Sequence, residues 1–143
     1  MNAVTFTVPG TPVGKGRPKF ARRGQYVQTY TPAKTANYEN LIKWAAHDAM
    51  AGRALIEGPV DLFIVLWLTP PASWSKRKKN MAMAGLLRPV TKPDIDNVLK
   101  AICDAMNKVV WNDDSQVVRV AVTKHYGEIA QAQVEVNEVG GNE

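Results

Sequence analysis

The sequence predicts an α/β (α+β) fold: one small domain over residues 1–143, with a mixed, mostly antiparallel sheet packed by two main helices. Three observations predict it. Residues 3–8, 117–126 and 130–136 alternate apolar with polar side chains, the period of a half-buried strand. Residues 60–68 are almost continuously apolar, as in a strand near the middle of a sheet. Two longer stretches carry apolar residues at helical spacing.

Taken in order, residues 3–8 place Val4, Phe6 and Val8 on one face of a first strand. Residues 9–28 are rich in Gly, Pro and basic side chains and read as a loop, with a short hairpin near Gly24. Thr31-Pro32 is a helix start, a capping hydroxyl followed by proline at the first turn. Tyr38, Leu41, Ile42, Ala45 and Ala49 continue that helix, and Gly52 ends it. His47 lies on it with no metal-like partner and reads as structural. The strand over 60–68 is expected to be central and buried on both faces, with Trp67 in the core and Pro70-Pro71 as its stop. Residues 73–89 hold a short helix and a loop beside Trp74. A strong amphipathic helix is expected over 96–108, capped by Asp96 or Asn97. The last two strands, with Gly127 between them, read as an antiparallel hairpin.

Length and composition narrow the function classes. A chain of 143 residues buries roughly two-thirds of its unfolded surface and needs no staple. The single cysteine, Cys103, excludes an intrachain disulfide framework and fits a reducing compartment. No apolar stretch follows Met1, and the longest apolar run is far too short to span a bilayer, so a cytoplasmic protein with no membrane partner is expected. The net charge of +5 is clustered. Lys15, Arg17, Lys19, Arg22 and Arg23 fall in one segment; Lys76, Arg77, Lys78 and Lys79 fall in another. Either cluster alone reads as solvated surface. Together, flanked by Gly, Pro and aromatics, they point to a polyanion, because Lys and Arg bind phosphate backbones through counterion release.

Against this basic background stands an acidic group. In Lys92-Pro93-Asp94-Ile95-Asp96-Asn97-Val98-Leu99-Lys100, an extended 94–96 segment puts both carboxylates on one side. On the helix that follows, Asp96, Asn97, Lys100, Asp104, Asn107 and Lys108 share one arc, opposite Val98, Leu99, Ile102, Met106 and Val109. An ordinary surface ion pair explains Asp96 with Lys100. It leaves Asp94 and the Asn112-Asp113-Asp114 run unexplained, although that run alone reads as a turn. Carboxylates suit Mg²⁺, with Mn²⁺ as a substitute, while Cys103, His47 and His125 lack zinc-site spacing. The D-x-D start of a calcium loop is present, but Val98 stands where a third ligand belongs. A basic surface to hold phosphate, carboxylates to hold a metal and a lysine to meet developing charge are the parts of phosphodiester hydrolysis. The residues thus reach a metal-dependent nuclease or phosphohydrolase with no organic cofactor, and leave the substrate's shape open.

The run from Lys92 to Ala101, then Asp104-Ala105-Met106-Asn107, then Trp111-Asn112-Asp113-Asp114-Ser115-Gln116-Val117, resembles the RusA family of Holliday junction resolvases of bacteria, phages and prophages. The Gly-Thr-Pro-Val-Gly-Lys-Gly-Arg-Pro opening and the chain length are similar too. The resemblance implies a RusA-like homodimer that binds four-way or branched DNA and nicks opposing strands symmetrically with Mg²⁺, in DNA recombination and repair. It also implies that Asp94, Asp96 and Asp114 are the metal ligands, with the adjacent Asp113 able to contribute, and that Lys100 is the essential lysine. The basic side chains, Lys92 among them, would then contact DNA. Pro93 stands where some members carry a basic residue, and the insertion with residues 76–79 is longer than in the shortest members. A less selective nuclease for flaps or forks, and a non-catalytic DNA-binding module, are the alternative readings.

Overall fold

The computed structural model describes residues 3–16, 19–23, 26–30 and 33–140, with the backbone alone for 19–23 and 26–30. In chain order they form β1 (Ala3–Pro9), β2 (Lys19–Arg23), β3 (Tyr26–Tyr30), α1 (Ala33–Met50), β4 (Val60–Leu68), α2 (Lys76–Met83) and α3 (Ile95–Met106). A single 3-10 turn over Asp114–Gln116 then leads into β5 (Val117–Tyr126) and β6 (Gln131–Glu138). The architecture is α+β. A mixed sheet ordered β1-β6-β4-β5 carries helices on one face, and β2 with β3 forms a separate antiparallel pair around the expected hairpin.

The terminal hairpin is where the structure departs from expectation. β5 and β6 do not pair; β4 lies between them, parallel to β5 and antiparallel to β6. The reason lies in the apolar faces. Ala132, Val134 and Val136 of β6 stand in register with Val8, Phe6 and Val4 of β1 on one side. On the other side they meet Leu66, Ile64 and Leu62 of β4. All nine belong to one buried cluster, so β6 gains most with a neighbour on each edge. β5 keeps Val118 and Val120 exposed and takes the sheet edge. Gly127, expected as a hairpin turn, is instead where the chain crosses the end of β4. Its N–H donates to the Leu68 carbonyl at 2.8 Å, and a Cβ there would lie 2.9 Å from Trp67 Cε3. Only glycine lets the backbone pass that close to the indole.

β4 is central, as expected, but buried on one face only. Leu62, Ile64 and Leu66 are inaccessible, while Asp61, Phe63, Val65 and Trp67 are half-exposed, because both packed helices lie on the same side. Trp67 therefore sits outside the main core, donating from Nε1 to Gln133 at 2.9 Å and lying beside the His125 ring. α1 buries Tyr38, Ile42, Ala46 and Met50 against the sheet; its expected Thr31-Pro32 start lies outside the described residues. α3 buries Val98, Ile102 and Met106 of the predicted stripe, together with Ala101 and Ala105. It begins earlier than expected, at Ile95, and ends at Met106, where Asn107 turns to extended geometry. No helix among the described residues is long and apolar enough to cross a membrane.

Candidate active site

Asp94, not Asp96 or Asn97, is the N-cap of α3. The chain leaves extended geometry at Asp94 and is helical from Ile95, so strand alternation does not relate Asp94 to Asp96. Instead they share one helix end. The exposed Asp94 carboxylate accepts from Asn97 Nδ2 at 3.1 Å rather than capping the backbone. Asp96 lies in the first turn and is exposed, where the unpaired N–H groups of the helix favour negative charge. Lys100 follows one turn along the same exposed arc.

The other end of α3 meets Asp114. Asn107, the C-cap, donates from Nδ2 to Asp114 Oδ2 at 3.5 Å, and its Oδ1 accepts from the buried Trp111 Nε1 at 2.6 Å. The two aspartates of the pair have different surroundings. Asp113 caps the short 3-10 turn: its Oδ2 accepts from Ser115 N at 3.0 Å, and hydrogen bonding from Ser115 holds its carboxyl below the usual range. Asp114 faces α3. Gln116 clamps this segment, accepting from Asn112 N and Asp113 N and donating to the Ile56 and Gly58 carbonyls at 2.8 and 3.0 Å. That role is not visible in the sequence, because its acceptors lie nearly sixty positions away.

The arrangement puts Asp94 and Asp96 at one end of α3 and Asp114 at the other. From Asp96 to Asn107 the helix rises about 16 Å. Among the described residues no three His, Cys, Asp or Glu side chains gather as a cation site. Cys103, on the stretch between the two ends, has its thiol pushed up to about 12 by burial first, and then by the Asp114 and Asp104 carboxylates.

The predicted basic residues separate into four groups, the last of them Lys92 alone. Lys15 is ion-paired within the chain. Its ammonium lies 2.6 Å from Glu39 Oε1 and 3.0 Å from Asp104 Oδ2, with its side chain 22% exposed. Arg17 lies outside the described residues, as do the side chains of Lys19, Arg22 and Arg23 on β2. Lys76, Arg77, Lys78 and Lys79 form the first turn of α2, with Ser75 Oγ accepting from Lys78 N and with no acidic residue in that turn. Four cations at the positive end of a helix are electrostatically unfavourable until an anion arrives. Lys78 also stands 4.1 Å over the Trp74 ring.

Lys92 lines a cleft of about 460 Å³ between residues 11–16 and the start of α3. Lys34, Thr35, Asp94 and Asn97 line it too. Lys34 and Asn97 are site candidates that the sequence did not single out. Their signal is spatial: the 11–16 loop crosses α1 and α3 where those two residues lie. The loop before α3 is held from the sheet by Lys124 Nζ, which donates to the Thr91 carbonyl at 2.7 Å.

Residues 9–137 match the family described as endodeoxyribonuclease RusA. YqaN of Bacillus subtilis (strain 168), described as an uncharacterized protein, is 39% identical over 141 residues, covering 97% of this chain and 99% of its own. A helix with carboxylates at both ends, a lysine between them and a lysine-lined cleft beside one end thus occurs in a chain that matches an endonuclease family over nearly its whole length. The chain belongs to the RusA family of endodeoxyribonucleases.

Proposed function

We propose that this chain is a structure-selective endonuclease that resolves four-way DNA junctions with Mg²⁺, working as a homodimer. The observation that carries the reading is α3: Asp94 and Asp96 at its start, Asp114 at its end, and Lys100 exposed between, next to a cleft lined by Lys34 and Lys92. The donor set fits a hard divalent cation, because these exposed or half-exposed carboxylates come without sulfur or imidazole ligands. Such a cation supplies a polarised phosphate and a water acidic enough to attack at neutral pH. The protein's own side chains do the rest. Lys100 stabilises charge developing on the phosphate. Lys34 and Lys92 hold the backbone at the mouth of the cleft, and the α2 cations draw in a further stretch of it.

Two opposed nicks in one junction require two sites, hence two copies of the chain. A cation bound by all three aspartates makes the same demand for another reason. Within one chain Asp94 caps the start of α3 while Asp114 meets Asn107 at its end, and a carboxylate supplied by a second copy would complete the set at either end.

A synthetic four-way junction with Mg²⁺ tests the function. Paired nicks at opposed positions are expected, with linear duplex of the same sequence left intact. Equal cutting of both substrates defeats the junction claim and keeps the nuclease. Junction binding with no metal-dependent cutting at all makes the chain a DNA-binding module.

A further inference from the structure

We propose that Lys15 is a positioning residue: its ammonium holds residues 11–16 across the first turn of α3 and so sets the cleft lined by Asp94, Lys34 and Lys92. Beyond the cleft's assumed use, which rests on the nuclease reading, the proposal stands on contacts in the chain itself. Lys15 bridges two helices, reaching Glu39 on α1 and Asp104 on α3. Its backbone N–H donates to the Asn97 carbonyl at 2.9 Å, and Asn97 in turn donates to Asp94. The next amide, Gly16, donates to the hydroxyl of Thr35, which is 3% exposed. On the other side, a Cβ on Gly14 would lie 3.0 Å from Asn97 Cβ, so the loop rests directly on the helix.

Electrostatics argues against a phosphate contact. One ammonium shared by two carboxylates leaves a net negative trio, which repels a DNA backbone rather than attracting it. Burial alone would lower the Lys15 pKa, but the bonds to Glu39 and Asp104 outweigh it and the net shift is upward. The charge is committed inside the protein. Lys15 thus belongs to a different class from Lys92, although the sequence places both among candidate DNA contacts.

The test uses Lys15→Met, which keeps the length of the side chain and removes its charge. Without DNA present, amide exchange at residues 15 and 16 is expected to rise about tenfold or more while the protein stays folded by circular dichroism. With a four-way junction, the single-turnover cutting rate at saturating enzyme should fall about tenfold or more, because a displaced wall misaligns the reacting groups. Junction affinity and its salt slope should not change. A second variant, Glu39→Gln with Asp104→Ala, keeps the lysine and removes its anchors. It should reproduce both effects. Unchanged exchange in Lys15→Met overturns the proposal. So does a salt slope reduced by about one unit at an unchanged saturating rate, the signature of one phosphate no longer neutralised. If the wild-type chain cuts no junction, the nuclease reading fails and the exchange measurement still decides this one.

Discussion

At the scale of single residues, the pair Asp113-Asp114 illustrates what a sequence can and cannot assign. Both are acidic neighbours, and only their surroundings separate them: Asp113 accepts from Ser115 N within its own turn, while Asp114 meets Asn107 on α3. Asp113→Asn is therefore expected to lower the melting temperature and leave cleavage within a fewfold of wild type. Asp114→Asn is expected to remove most cleavage with little change in melting. Because the Asp113 carboxyl is lowered, the stabilisation it gives is present above its ordinary value of 3.8 and lost as the pH falls below it. Thermal melts across pH 3 to 7 in wild type and Asp113→Asn check this; parallel curves would remove the cap from the account. Asp94→Asn should abolish cutting and leave junction binding intact, since the basic surface is untouched. Asp94, Asp96 and Lys100 stand out as candidates because residue types and order single them out. The ion pairs of Lys15 were not legible, because whether a lysine meets a carboxylate depends here on Glu39, twenty-four positions away on α1.

At the scale of elements, α3 was the most legible part of the chain. Its buried Val98, Ile102 and Met106 follow the predicted stripe, and only its ends moved. Ile102, fully inaccessible, should cost about 2–5 kcal/mol when truncated to Ala, measured by urea unfolding. α2 was legible as a short basic helix, and its charges make a separate prediction. Changing residues 76–79 to Gln should flatten the dependence of log affinity on log salt, by about 0.9 for each phosphate that the helix no longer neutralises. It should also raise the intrinsic stability of the helix, since four cations leave its positive end. An unaltered slope would take α2 out of the DNA interface. The pairing of β5 and β6 was misread for a definite reason. Alternation reports which face of a strand is buried, but not its neighbours, and a glycine between two strands looks the same whether it turns a hairpin or crosses over an indole. Gly127→Ala should be strongly destabilising. Trp67→Leu in the same chain should recover part of the loss, a coupling that two independent sites would lack.

At the scale of the whole molecule, the fold class and the basic charge were readable from composition and period, whereas the spatial arrangement of the acidic residues was not. Order and spacing leave open whether Asp94, Asp96 and Asp114 share a cation; the structure puts the first two at the start of α3 and Asp114 beside Asn107 at its end. Mixing two inactive proteins, Asp94→Asn and Asp114→Asn, tests the two-copy site. Mixed dimers should regain one intact site and give single nicks, whereas sites contained within one chain would regain nothing. Alkaline stability is also a property of the whole. Cys103, Tyr38 and Lys15 are all raised, so the folded state holds their protons more tightly than the unfolded chain. Stability from such groups is complete at neutral pH and lost as pH climbs, starting near the ordinary cysteine value of 9.0. The urea midpoint should fall between pH 7.5 and 10.5, and less so in Cys103→Ser. The placement of β6 also reaches into how the protein is made. Because β6 joins β1 to β4, the first and third-placed strands of the sheet have no common partner until residues 131–138 have been synthesised. Growing chains must carry Val4, Phe6 and Val8 beside Leu62, Ile64 and Leu66 with the gap between them open. A premature stop before Gln131 should therefore leave an aggregating product rather than a shorter enzyme, and nascent chains of that length should be where chaperones bind.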